Sequence, residues 1–260
     1  SSYSGNTEEI ISCAQDASMR SCPSVCLTTG GKLKEVSQTQ QLPLIELDEK
    51  FNPSRSPRAG ICLSLGAVIG LLLRLNPPAK KYFNKKDIIQ TVDRIIDMVN
   101  IHKDTQENPA KSLAQKHKGQ GIIFLSANHL SGLGKVFGNY LNETAKTFAV
   151  HHSFPDLNHH FLEGLLYPTS LKDDLSFLIL NSGVFPEVIQ KRIRITRDVL
   201  LKQKYRVTVI KPETADPVLQ IFESLVFLMM FGYYLGIVNK VNPASNPWVD
   251  YLKSQLSSSN

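Results

Sequence analysis

Residues 176–181 read Ser-Phe-Leu-Ile-Leu-Asn (SFLILN), and residues 205–210 read Tyr-Arg-Val-Thr-Val-Ile (YRVTVI). Each is a short run rich in apolar and β-branched side chains, the pattern of a buried strand. Pro186 to Lys202 reads as a helix between them, and Pro217 to Val238 as a helix after them. Upstream, Ile122 to Leu125 (IIFL) gives another strand, followed by a helix predicted from about Leu133 to Val150. Strands alternating with helices imply a parallel sheet with helices on both faces, so these stretches set the fold class as α/β.

The same alternation extends towards the front of the chain. Thr7 to Arg20 is a predicted helix, with Asn6 as N-cap and Glu8 and Glu9 suited to the positive end of its dipole. Ser24 to Thr28 (SVCLT) is a short strand closed by Gly30-Gly31, and Leu42 to Leu47 (LPLIEL) is another that Pro43 weakens. Ile61 to Leu75 is an apolar helix that stops before Pro77-Pro78. Lys86 to His102 places Ile88, Val92, Ile95, Ile96 and Val99 on one helical face. The polar stretch from His102 to Gly121 reads as a crossover, and Trp248 to Leu256 as a short terminal helix. Two similar α/β units are expected, residues 1–103 and 113–256.

Composition bounds the function. The 260 residues are 42% hydrophobic and 20% charged, enough to bury a core and too apolar for a disordered chain. The net charge of +6 comes without any block of five or six basic residues, which excludes a strongly electrostatic nucleic-acid binder and leaves room for an anionic small molecule. Cys22 and Cys26 have the look of a metal pair, but Cys13 and Cys62 form no matching pair near a His, so free thiols in a reducing compartment are expected. No signal-peptide pattern opens the sequence. The longest uncharged stretch, Ser224 to Asn239, falls short of the ~20 apolar residues of a membrane span. A cytoplasmic protein with no membrane partner is the expectation.

The sharpest local signal is Ser2-Tyr3-Ser4-Gly5-Asn6-Thr7-Glu8-Glu9. It sets three hydroxyls, a glycine and a helix start within eight residues. Unpaired helix N–H groups and hydroxyl donors make a phosphate cradle, and a glycine lets the backbone approach the ligand closely. With no Walker lysine, a sugar phosphate suits it better than a nucleoside triphosphate. An ordinary capped helix start shows the same residue types.

This loop resembles the phosphate-binding loop of sugar isomerase (SIS) domains, and in particular that of the bifunctional phosphoglucose/phosphomannose isomerases. Further stretches carry the resemblance in the family's order: Ser56-Pro57-Arg58 ahead of an apolar helix; Glu107-Asn108-Pro109-Ala110-Lys111; Asn142-Glu143-Thr144-Ala145-Lys146; Phe154-Pro155-Asp156-Leu157-Asn158-His159-His160; and Asp250-Tyr251-Leu252-Lys253 in the closing helix. It implies two SIS-type units of parallel sheets flanked by helices, the first lacking the family's N-terminal part. That part would supply a strand leading into Ser2 and a Gly-Gly-Ser turn.

The implied reaction interconverts glucose 6-phosphate, or mannose 6-phosphate, with fructose 6-phosphate through an enediol. It needs a base, a ring-opening group and a cation for the developing oxyanion, and calls for no metal and no cofactor. Glu143 falls where the family has its catalytic carboxylate, at the flank of an apolar helical face where partial desolvation suits a proton shuttle. Position alone also fits a solvated surface Glu. His159 matches the ring-opening His, which in the family reaches the site from a partner subunit, implying a homodimer with a shared active site. Lys253 matches a C-terminal lysine that approaches the sugar, and Arg58 the cation beside the enediolate. A solvated tail lysine and a structural ion pair are their plainer readings. Ser2, Ser4 and Thr7 would hold the phosphate.

His151, His152, His159 and His160 fall close together, but no Cys or carboxylate accompanies them at a recognised ligand spacing, so no metal is expected. His151 and His152 read as loop residues. The sequence departs from the family pattern at His160, where a second Asn is usual, at Asn246, where some members have Thr before the Pro, and at Tyr233, where Asp is common after the Gly. A non-catalytic sugar-phosphate-binding module and an inactive fragment are the alternatives.

Overall fold

The computed structural model describes residues 1–257 and divides into two compact units that meet after Tyr82 in sequence. Unit 1 contains α1 (Glu8–Met19), β1 (Cys26–Thr28), α2 (Gly31–Thr39), β2 (Leu44–Glu46) and α3 (Ile61–Leu75). Its sheet has two parallel strands, with Leu27 opposite Ile45. Cys26, Leu27 and Leu33 are its most deeply buried apolar side chains, joined by Leu47 just past β2. The expected Asn6 N-cap is replaced by Thr7, and the Asn6 side chain instead accepts from the N–H of Lys32 at 3.2 Å.

Unit 2 contains α4 (Lys85–Met98), α5 (Pro109–Lys116), β3 (Gly121–Ser126), α6 (Ser131–Thr144), β4 (Ala149–Ser153), α7 (Leu171–Asp174), β5 (Leu175–Leu180), α8 (Glu187–Lys202), β6 (Arg206–Ile210), α9 (Pro217–Val238) and α10 (Pro247–Ser257). Its four strands are all parallel in the order β4-β3-β5-β6. Burial on both faces explains the uninterrupted apolar runs of β3 and β5, where Ile122, Phe124, Leu125, Phe177, Leu178 and Ile179 are almost completely enclosed. Each such side chain contributes roughly 1.5–3 kcal/mol by leaving water.

Four elements differ from the sequence reading. Helix α4 packs on α9, so it belongs to the second unit, and the contact boundary falls after Tyr82 rather than near 103. The crossover holds α5, whose start follows a simple rule: the Asn108 side chain caps it by accepting from the N–H groups of Ala110 and Lys111, and Pro109 sits where no N–H is needed. The helix predicted to Val150 stops at Thr144, because Lys146 takes a left-handed φ of 50° and turns the chain into β4. His151 and His152 therefore lie in a strand, not a loop.

Helix α9 begins at Pro217, ahead of the uncharged stretch, and by length and composition could cross a bilayer. Half of its most apolar window is buried, against α4, α5 and α6. Its Glu223 is buried too and accepts from the N–H groups of Glu213 and Thr214, with Arg94 at 3.2 Å. All four cysteines are free thiols, Cys26 buried and the others exposed.

Candidate active site

The opening loop of unit 1 is built by its own hydrogen bonds. Ser2 is buried; its N–H donates to Leu27 O, and its Oγ lies 2.8 Å from Thr7 Oγ1 while accepting from the Gly5 N–H at 3.1 Å. Thr7 does not turn back to cap α1, so the first-turn N–H groups of that helix stay without a side-chain cap. Ser4 and Thr7 are exposed, with Ser4 Oγ 3.3 Å from the Asn6 N–H. Gly5 has φ of +71°, and a Cβ there would stand 1.8 Å from Gly30 O. Its glycine is thus required by the Gly30-Gly31 turn against which the loop packs, rather than by space for a ligand.

Arg58 is brought to the same loop through its neighbours. Asn52 donates to Tyr3 Oη at 2.6 Å and to Ser56 O at 2.9 Å. The Tyr3 ring lies against Gly60, where a Cβ would come within 2.2 Å of it. The segment 52–60 is therefore pinned on Tyr3, between Ser2 and Ser4, and carries the half-buried Arg58 with it.

In unit 2, Glu143 is half-buried at the last turn of α6 and borders an open cavity of about 460 Å³. Asn142, Lys146, Asn242, Asn246 and Trp248 contribute to its walls. That volume lies within the range of small-molecule sites. Asn246 donates from Nδ2 to Glu143 Oε2 at 3.2 Å, and Lys146 donates from Nζ to Asn246 Oδ1 at 3.1 Å. Lys146 also donates to the carbonyl oxygens of Glu143 and Ser245. Trp248 and Val249, from the start of α10, close one side of the cavity. Lys253 lies one turn further along that exposed helix.

His159 stands elsewhere in the unit. It is exposed at the end of a short turn, Asp156–His159, which Asn158 ties to α8 through Thr196 Oγ1 at 2.8 Å. Glu143 precedes the start of β4, where Asn142 Oδ1 accepts from the Ala149 N–H, whereas His159 follows the far end of β4. Five strand residues separate these ends, about 13 Å of rise.

His151 and His152, close by in sequence, have structural partners. His151 Nε2 lies 2.7 Å from Ser126 Oγ, and burial, with the neighbouring charges of His152 and Lys135, lowers its pKa. His152 stacks on Phe161 at 4.3 Å and is lowered first by burial and then by His160. Among the described residues no three His, Cys, Asp or Glu side chains gather as a metal site. Two polar arrangements have no signature in the sequence. One is the Lys146–Asn246 pair beside Glu143, which the sequence marks only by the departure at Asn246. The other is the buried His117, bonded at 2.8 Å to Ser176 Oγ and 3.0 Å to Thr208 Oγ1. No local pattern distinguishes that His from a surface one at a helix end.

Parallel α/β units of this kind characterise the SIS-domain phosphosugar enzymes. The tagatose-6-phosphate ketose/aldose isomerase of Escherichia coli superposes with a TM-score of 0.70 over 94% of this chain and 68% of its own, at 14% identity. Residues 106–256 match the bacterial phospho-glucose isomerase C-terminal SIS domain, more than half of the chain, and the chain belongs to that family. A bifunctional phosphoglucose/phosphomannose isomerase of Caldicellulosiruptor bescii is 24% identical over 98% of this chain and 75% of its own length. Its namesake in Thermoplasma acidophilum is 24% identical over 98% and 74%.

Proposed function

We propose that this protein is a sugar-phosphate aldose–ketose isomerase, interconverting glucose 6-phosphate and mannose 6-phosphate with fructose 6-phosphate in the cytoplasm. One observation carries the reading: in a chain of this family, a half-buried carboxylate on α6 borders a sugar-sized cavity and is held by a hydrogen bond. Glu143 removes the proton from C2 of the open-chain aldose, and the electron pair moves into the C1–C2 bond as the carbonyl becomes an enediolate. A proton passes from O2 to O1, and the same carboxyl group returns the first proton to C1 as the C2–O2 carbonyl forms, giving the ketose. Arg58 balances the enediolate charge, so no metal and no cofactor enter the step. His159 opens the ring by passing a proton between the ring oxygen and O1. Ser2, Ser4 and Thr7 bind the phosphate, and Lys253 reaches the sugar hydroxyls. Residues 1–82 act as the first SIS unit of this enzyme, and the second SIS domain, residues 113–256, carries α4 with it.

The separation of Glu143 and His159 along β4 supports a homodimer in which each site takes its His from the second copy. Turnover of both aldose phosphates is measured in an assay coupled to fructose 6-phosphate, using the full-length natural chain. Glu143→Gln keeps the shape and removes the base, and its turnover is expected to fall at least ~1,000-fold. Wild-type activity in that variant refutes the role of Glu143. Sugar-phosphate binding with no turnover by the wild type favours a binding module instead.

A further inference from the structure

Around Glu143 the hydrogen bonds have a direction that chemistry fixes. A lysine ammonium only donates, so the Asn246 atom that faces Lys146 Nζ at 3.1 Å is the amide oxygen. The amide nitrogen is then the atom that faces Glu143 Oε2 at 3.2 Å. Flipping the amide would set a donor against a donor and an oxygen against a carboxylate. Lys146 holds this arrangement on three sides, because its ammonium also donates to the carbonyl oxygens of Glu143 and Ser245. The left-handed backbone at Lys146, just past the end of α6, brings the ammonium under the 245–246 segment.

We infer that Asn246 is a positioning residue for the Glu143 carboxylate, locked in its donating orientation by Lys146. The inference rests on the isomerase reading above. A glutamate side chain has several rotamers to lose, and a base that serves two adjacent carbons must stay within a narrow arc. A donor at Oε2 selects one rotamer of the carboxylate. Asn246 touches neither reacting carbon in this scheme; it acts through Glu143.

The test compares Asn246→Leu, Lys146→Met and Asn246→Thr with the wild type. Leu keeps the volume and removes the donor, and Met removes the lock. In both, kcat is expected to fall about 10- to 100-fold with KM changed less than about twofold. Threonine has one donor and one acceptor and is expected to restore kcat to within about fivefold of wild type. Unchanged kcat in Asn246→Leu overturns the inference, as does a loss that threonine does not relieve. A readout independent of turnover is the Asn246 side-chain amide resonance, assigned by its loss in Asn246→Leu. It is expected to move in Glu143→Gln and in Lys146→Met, and a fixed resonance in both overturns the pairing. If the wild type turns over neither sugar phosphate, the isomerase reading fails, and the amide resonance alone decides whether Asn246 and Glu143 are coupled.

Discussion

The two units hold their polar sites by different means. In unit 2 the strands that support Glu143 are packed into a core whose largest side chains, among them Phe124, Phe137 and Phe177, are almost wholly enclosed. In unit 1 the sheet has two strands of three residues each, and neither α1 nor α3 buries a single side chain completely. The opening loop is instead fixed by backbone geometry: Gly5 against Gly30, the N–H of Leu33 donating to Gly5 O at 2.9 Å, and the hydroxyls of Thr28 and Thr29 donating to Tyr3 O. A loop can thus be specified by a few obligatory hydrogen bonds, whereas the candidate carboxylate Glu143 stands beside a close-packed layer.

The largest effect that separates the units is expected from their apolar side chains. Phe124, in the interior strand β3 and fully buried against Phe137, should cost about 3–5 kcal/mol when cut to Ala. Leu72, on the apolar helix α3 but 44% exposed, should change stability by less than about 0.5 kcal/mol as Leu72→Gln. Urea unfolding followed by far-UV circular dichroism checks both. Equal losses would mean that α3 is as deeply engaged as the β3 layer, and the contrast would collapse.

That contrast also explains what could be read in advance. Strands β3 and β5 are legible because burial on both faces leaves a continuous apolar run, and α9 because half of its apolar length is buried; β6 and α3 show apolar runs as well, although β6 is an edge strand and neither buries a side chain completely. Strand β4 was hidden because its His151 and His152 find partners in Ser126 and Phe161, contacts that no neighbouring residue in the sequence announces. The crossover looked polar because α5 spends its burial on Ala110, Leu113 and Ala114, small or isolated apolar residues. At the candidate site, the motif singles out Glu143 as an expectation, whereas Asn246 stands out in the sequence only as a departure. Its contact is with a residue more than a hundred positions away, which is a property of the fold.

A second difference of means is tested at Gly5. Alanine there must adopt φ of +71° and push its Cβ into the Gly30 carbonyl, which is backbone and cannot swing aside. Gly5→Ala is expected to destabilise unit 1 by roughly 3 kcal/mol while leaving unit 2 folded. Hydrogen exchange read peptide by peptide should show lost protection in residues 1–39 and unchanged protection across β3 and β5. Lost protection across β3 and β5 as well would show that the two units unfold together.

The mildest of these effects is graded by pH and falls on one unit alone, because all seven histidines lie beyond residue 82. His117 is the extreme case: burial, aided by the charges of Lys116 and Arg206, lowers its pKa to about 4. The folded ring stays neutral between its two hydroxyl partners, while the unfolded ring takes up a proton below about pH 6.5. Between these values the unfolded state binds more protons, so stability decreases as pH falls. The loss begins near pH 6.5, reaches roughly 1 kcal/mol by pH 5.5 and stops growing below about pH 4. His151 and His152, also lowered by burial, act in the same direction. Urea midpoints measured at pH 7 and pH 5.5 should therefore separate for β3 and β5 and coincide for the opening loop, with His117→Gln narrowing the gap in unit 2. A gap of the same size in the variant would move the acid sensitivity away from His117 and onto the pair in β4.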